Sequence, residues 1–205
     1  MVTAGGSAYF DTVAEELTPL AAEFPGTKVV VRAGAYLAHD DGFYRGISPL
    51  ARTTGATPLR SAMHGWARVV SHPEPQLALL DAGKRDLPFD EGLPEPQLVR
   101  RAGVVDGEES VGGALVGGSS VGGSPGSELT GSDVTGSGLA GAEVTALNDQ
   151  HTFLRAAGEA APIGAVVRLG LSHPCTAFDK WSLIPVVDDA DAEHPRVVGL
   201  VRTWF

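Results

Sequence analysis

The sequence predicts two kinds of structure in one chain: a short parallel α/β unit at the N-terminus, then an antiparallel β region interrupted by a long glycine-rich loop. Three observations carry this. The first fifty residues alternate strand-like and helix-like patterns. From about residue 60 the pattern changes to short β segments broken by Pro and Gly. The 27 glycines are unevenly spread, with a dense cluster between positions 111 and 145.

Val2-Thr3 reads as the end of a strand and Gly5-Gly6-Ser7 as a tight turn. From Ala8 the apolar positions Phe10, Val13, Ala14 and Leu17 recur at the spacing that keeps one helix face apolar. Pro19 and then Pro25-Gly26 are expected to close this helix, because proline has no N–H to continue the ladder. Lys28-Val29-Val30-Val31 has the unbroken β-branched run of a strand covered on both faces. Strand, helix and strand joined by short turns form a βαβ unit, which implies a parallel sheet or barrel. A single unit of this kind leaves its sheet edges and most of its apolar surface open, so the chain is expected to begin inside a domain. Further on, the candidate strands are 66–71, 77–80, 144–154, 164–171, 183–187 and 197–203. Several strands at turn-separated spacing suggest an antiparallel sandwich or barrel.

Residues 111–145 divide into seven pentads, VGGAL, VGGSS, VGGSP, GSELT, GSDVT, GSGLA and GAEVT, without a Lys, Arg, His or aromatic residue. Such a composition buries too little apolar area to offset ordering entropy, so a flexible loop at about 107–143 is expected. The division that follows is 1–50 for the α/β part and 51–205 for the β part.

Charge narrows the partners. With 15 Lys+Arg against 25 Asp+Glu the net charge is −10, which argues against a nucleic-acid or anionic-membrane surface, since either needs a basic patch. No apolar run approaches the ~20 residues of a membrane span, and the first residues lack the basic start and apolar stretch of a signal peptide. The single cysteine, Cys175, cannot form an internal disulfide, which points to a cytoplasmic protein.

Chemistry centres on two places. In His173-Pro174-Cys175, residues i and i+2 of an extended segment would face the same way, bringing an imidazole and the only thiol together as a zinc ion accepts them. The alternative is a buried cysteine beside a loop histidine. Gly5-Gly6-Ser7 ahead of a helix offers backbone N–H groups and a hydroxyl to a phosphate, or is an ordinary strand-to-helix turn with Ser7 as its cap. Arg32, directly after the valine run, puts a cation at a strand's C-terminal end, where α/β sites lie, or forms a structural ion pair. His39-Asp40-Asp41 reads as a solvated turn, and so does the acidic stretch 188–193, which lacks the spacing of a calcium loop.

Taken together, VTAGGSAYFD (2–11), VRAGAYLAHDDGFY (31–44), LALLDAGKRDLPFDEGLP (77–94), LNDQH (147–151) and LSHPCTAFDKWSLIPVVD (171–188) resemble, in this order, the C-terminal half of the D-serine dehydratase-like or amino acid deaminase family, related to D-threonine aldolase and alanine racemase. The resemblance implies a fold-type-III pyridoxal-phosphate enzyme: the last βαβ portion of a (β/α) barrel in 1–50 and a C-terminal β domain that brings a metal to the cofactor. Members are typically homodimers acting on a small D-amino acid. By the match His173 and Cys175 are zinc ligands, and Gly5, Gly6 and Ser7 lie by the cofactor phosphate. Arg32 falls where a relative's arginine faces the pyridine nitrogen, and Gly34 and Ala35 where backbone amides meet the phosphate. Ala33 departs from the usual proline there.

The implied reaction is β-elimination from a β-hydroxy D-amino acid to a 2-oxo acid and ammonia. The cofactor ring absorbs carbanion charge and zinc stabilises the leaving hydroxyl. Cys175 stands where the aldolase branch has aspartate, which weighs against retro-aldol cleavage. The family's Schiff-base lysine has no counterpart in context among Lys28, Lys84 and Lys180. A catalytically silent zinc-binding β domain from a truncated gene is therefore the alternative to an active lyase.

Overall fold

A computed structural model describes residues 1–101, 139–156, 160–192 and 194–204. The N-terminal part is a βαβ unit, as the sequence predicts. Strand β1 (Val2–Gly5) pairs in parallel with β2 (Val29–Arg32), Val2 opposite Val29 and Gly5 opposite Arg32, with helix α1 (Phe10–Glu23) crossing between them. Helix α1 departs from expectation at Pro19, which lies inside it. Proline costs the ladder one N–H, and the Thr18 hydroxyl bonds the Ala14 carbonyl at 2.5 Å in the same turn. The helix closes one turn later, where Phe24 N–H meets the Leu20 carbonyl just before Pro25-Gly26.

Nor is β2 covered on both faces. Val30 and Val31 are 40 % and 38 % exposed, because this sheet has two strands and α1 contributes no fully buried residue. Three short helices follow, α2 (Ala35–Ala38), α3 (Phe43–Ile47) and α4 (Pro49–Arg52).

The core lies in a six-stranded antiparallel sheet. Its strands are β3 (His64–Glu74), β4 (Leu77–Leu80), β5 (Glu95–Arg100), β6 (Glu143–Leu147), β7 (Thr152–Arg155) and β8 (Val166–Gly170), in the order β5-β8-β3-β4-β7-β6. Edge strands β5 and β6 approach each other, so the sheet curls toward a half-barrel. Leu80, Leu154, Leu169, Val69 and Val167 are wholly buried inside the curl, each contributing roughly 1.5–3 kcal/mol of burial. Past a short helix α5 (Ala177–Lys180), β9 (Leu183–Val187) and β10 (Val197–Arg202) form a separate antiparallel pair. This is a mixed α/β region with a curled antiparallel sheet and a small two-stranded sheet.

Sequence pattern missed β5, whose EPQLVR opens on a charge and a proline, and merged β6 with β7 across the turn at 148–151. Strand β6 begins at Glu143, beside the expected end of the glycine-rich loop, and Leu139 and Val144 join the core. The remainder of that loop lies outside the described residues. Among the described residues no helix is long and apolar enough to cross a membrane.

Candidate functional site

The C-terminal ends of β1 and β2 bring together the residues singled out around the glycine turn. Gly5 lies so close to β2 that an added Cβ would sit 3.1 Å from the Arg32 carbonyl oxygen. Gly6, with φ +150°, donates its N–H to that oxygen at 3.1 Å. The Ser7 hydroxyl accepts the Ala35 N–H at 3.2 Å, joining the turn after β1 to the start of α2, and Gly34 has open space around it. The Arg32 side chain runs back along the sheet, donating from Nε to the Thr3 hydroxyl at 3.2 Å.

The second place is the loop after β8, and it is not extended. His173 has left-handed backbone (φ +79°), and Pro174–Thr176 is a 3₁₀ turn. The alternation expected to align His173 with Cys175 does not operate there; the two are neighbours through a tight turn. Their loop is stapled to the α/β part by Asp40. That carboxylate is wholly buried, accepting the His173 N–H at 3.1 Å on one oxygen and the Tyr44 N–H at 2.7 Å on the other. The 39–41 segment is therefore not a solvated turn. Asp41 and Gly42 N–H groups add bonds to the Leu171 carbonyl, both 3.1 Å.

Tyr44 sits between the two places. Its ring centroid is 6.3 Å from that of His173. Burial pushes the phenol pKa up, with Cys175 adding in the same direction. Cys175 is an exposed residue, yet its thiol is likewise raised, chiefly by partial desolvation and then by Asp90, Asp40 and Asp179. An unassisted thiol here stays protonated at neutral pH, and a metal would have to displace the proton. His173 Nδ1 meets Asp90 Oδ2 at 2.5 Å, and the Thr176 hydroxyl reaches Asp90 Oδ1 at 3.3 Å. Burial raises Asp90, but the His173 and Thr176 bonds outweigh it and hold the carboxyl below its ordinary value.

The motif segments are also pressed together. An added Cβ on Gly83 would lie 2.3 Å from the Asn148 carbonyl oxygen, and Lys84 and Arg85 N–H groups bond the Asn148 and Asp149 carbonyls. Thus DAGKRD packs on LNDQH. In the acidic stretch, the Ala190 and Ala192 carbonyls take the Arg100 guanidinium, and Arg168 binds Asp191. A cleft of about 550 Å³ is lined by Asp40, Asp41, Arg45, His64, Arg168 and Asp191.

A nitrogen and a sulfur donor fit zinc in kind: the Asp90 bond engages Nδ1 of His173 and leaves Nε2 unclaimed. Among the described residues no third His, Cys, Asp or Glu completes a cluster. The turn fits a phosphate only at Ser7 and in the open space beside Gly34, because the Gly6 N–H is spent on the Arg32 carbonyl and the Ala35 N–H on the Ser7 hydroxyl. The lysines do not fit a covalently held cofactor there. Lys28 stands at the opposite end of β2 from Arg32, while Lys84 and Lys180 flank the Phe89 ring at 5.6 and 5.5 Å.

Sequence reasoning passes over Tyr44 and Asp90 and reads Asp40 as part of a solvated turn, since a lone aspartate or tyrosine in a loop carries no periodicity. The usable signal was their place inside HDDGFY and LPFDEG.

The family model described as "Putative serine dehydratase domain" matches residues 62–187, more than half of the chain. A comparison with curated proteins found no match. Among solved structures, the crystal structure of D-threonine aldolase from Filomicrobium marinum is similar, with a TM-score of 0.58 at 19 % identity. The likeness covers 91 % of this chain and 37 % of that one, so this chain spans little more than a third of that protein's length. At that identity the likeness is one of fold. The match across 62–187 shows that the chain belongs to the serine dehydratase-like domain family.

Proposed function

We propose that the chain binds zinc through His173 and Cys175 and presents it, beside a phosphate-accepting turn at Gly5–Ser7 with Arg32, Gly34 and Ala35, to a β-hydroxy D-amino acid. On this reading it is the metal-bearing part of a pyridoxal-phosphate-dependent deaminase, and these residues are catalytically silent without a lysine supplied from outside them. The observation that carries it is Asp40, which ties the His173–Cys175 loop to the stretch between the glycine turn and Tyr44. Zinc, when bound, would supply Lewis acidity to a substrate hydroxyl. The chain's own residues hold the loop, shield it with Tyr44, and leave the open space beside Gly34 to an anion.

The test uses the purified chain. Zinc is counted by elemental analysis in the wild type and in Cys175→Ala, then pyridoxal phosphate is added, reduced with borohydride and weighed by intact mass. Stoichiometric zinc that disappears in Cys175→Ala, with no lysine adduct, is the expected result. Zinc retained by the variant overturns the metal assignment, and a single lysine adduct overturns the silence.

The fold likeness keeps a retro-aldol reading as second. With a lysine-bearing barrel segment supplied, D-threonine separates the two: elimination gives a 2-oxo acid and ammonia, retro-aldol cleavage gives glycine and an aldehyde.

A further inference from the structure

Asp90 comes from the loop before β5, 83 residues away from His173, yet both of its oxygens are spent on the loop that carries the candidate zinc ligands. Its position is set independently of those bonds. The neighbouring Glu91 carbonyl accepts the Ser172 hydroxyl at 2.8 Å. Gly92, with φ +134°, leaves room for that same hydroxyl, which an added Cβ would meet at 3.1 Å. On the other side Phe89 is held between two lysine side chains. The 89–92 loop is thus docked on the 171–176 loop, with Asp90 aimed at one ring nitrogen.

We propose that Asp90 is a positioning residue that fixes the tautomer of His173. An ionised carboxylate only accepts hydrogen bonds, so Nδ1 of a neutral imidazole against Asp90 carries the proton and Nε2 keeps its lone pair. The free side chain prefers the opposite tautomer, with the proton on Nε2, where it blocks coordination. Asp90 therefore presents Nε2 as a ready donor atom, as carboxylates behind metal-binding histidines do. The inference rests on the zinc reading for its purpose but not for its tautomer.

The full chain labelled with ¹⁵N-histidine tests it, by long-range ¹⁵N–¹H correlation at about pH 8.5, above the ordinary histidine range. Metal-free wild type is expected to show His173 protonated at Nδ1. Asp90→Ala is expected to shift it toward Nε2–H and to weaken zinc binding about 10- to 100-fold, measured by competition with a chromogenic chelator. Asp90→Asn, which keeps the shape and one acceptor oxygen, guards against misfolding and should fall between the two. Thr176→Ala, which removes the other bond to the same carboxylate, should leave the tautomer in place. A wild type protonated at Nε2, or Asp90 variants with unchanged tautomer and zinc affinity, overturns the proposal. A wild type that shows the Nδ1–H form but takes up no zinc overturns the metal reading and leaves the tautomer assignment standing.

Discussion

Strands β2 and β8 are both valine-rich, VVVR and VVRLG, yet they end in opposite environments. Val167 and Leu169 of β8 are wholly buried, while Val30 and Val31 of β2 are more than a third exposed. Intrinsic strand preference is similar in the two. What differs is the company: β8 lies between β5 and β3 in a curled six-stranded sheet, and β2 has β1 on one side only. A β-branched run therefore specifies a strand, and the number of neighbours decides whether the strand becomes core. The α/β part accordingly leaves Tyr9, Phe24 and Leu37 well exposed as well.

The sharpest way to break the comparison is to truncate both regions. Leu154→Ala, at a wholly buried site, should cost about 2–5 kcal/mol from lost burial and the cavity left behind. Val30→Ala should cost about 0.5 kcal/mol or less, as exposed substitutions do. Urea unfolding followed by tryptophan fluorescence measures both. Equal losses would mean that the β1–β2 unit is covered in solution.

Asp40 gives the next largest effect, because it joins the two regions. Asp40→Ala strands the His173 and Tyr44 N–H groups in a buried place, each bond to a charged acceptor being worth about 1.5–3 kcal/mol. Hydrogen exchange should then quicken at both amides while the β3–β8 ladder stays protected. Uniform loosening of the whole chain would show that the two regions unfold as one unit rather than across this joint.

How much of this was legible in the sequence follows from the same contrast. The βαβ unit and most strands of the large sheet announce themselves through local periodicity: Phe10, Val13 and Leu17 on one helix face, alternating burial along 77–80 in β4. Strand β5 did not, since Glu95-Pro96-Gln97 looks like a turn until β8 supplies its hydrogen bonds. The site divides similarly. His173 and Cys175 stood out as a rare pair, but the left-handed turn at His173 depends on Asp40 and Asp90, neither of which is local in sequence.

The smallest expected effect concerns His64, where β3 begins beside the α/β part. Its pKa is lowered below 6.5, mainly by burial and then by Arg168, with Asp41 at 3.8 Å pulling partly the other way. The folded chain therefore holds His64 neutral at a pH where the unfolded chain protonates it. In that window the unfolded state binds more protons, so stability rises with pH and is lost as pH falls through 6.5 toward the lower folded value. His64→Gln removes the titration and should flatten the dependence of unfolding free energy on pH between about 7 and 5. Carboxylates held low, such as Asp191 against Arg168, act in a lower window, below their ordinary 3.8. Parallel wild-type and His64→Gln curves across the upper window would place His64 in water rather than in the buried join between the two regions.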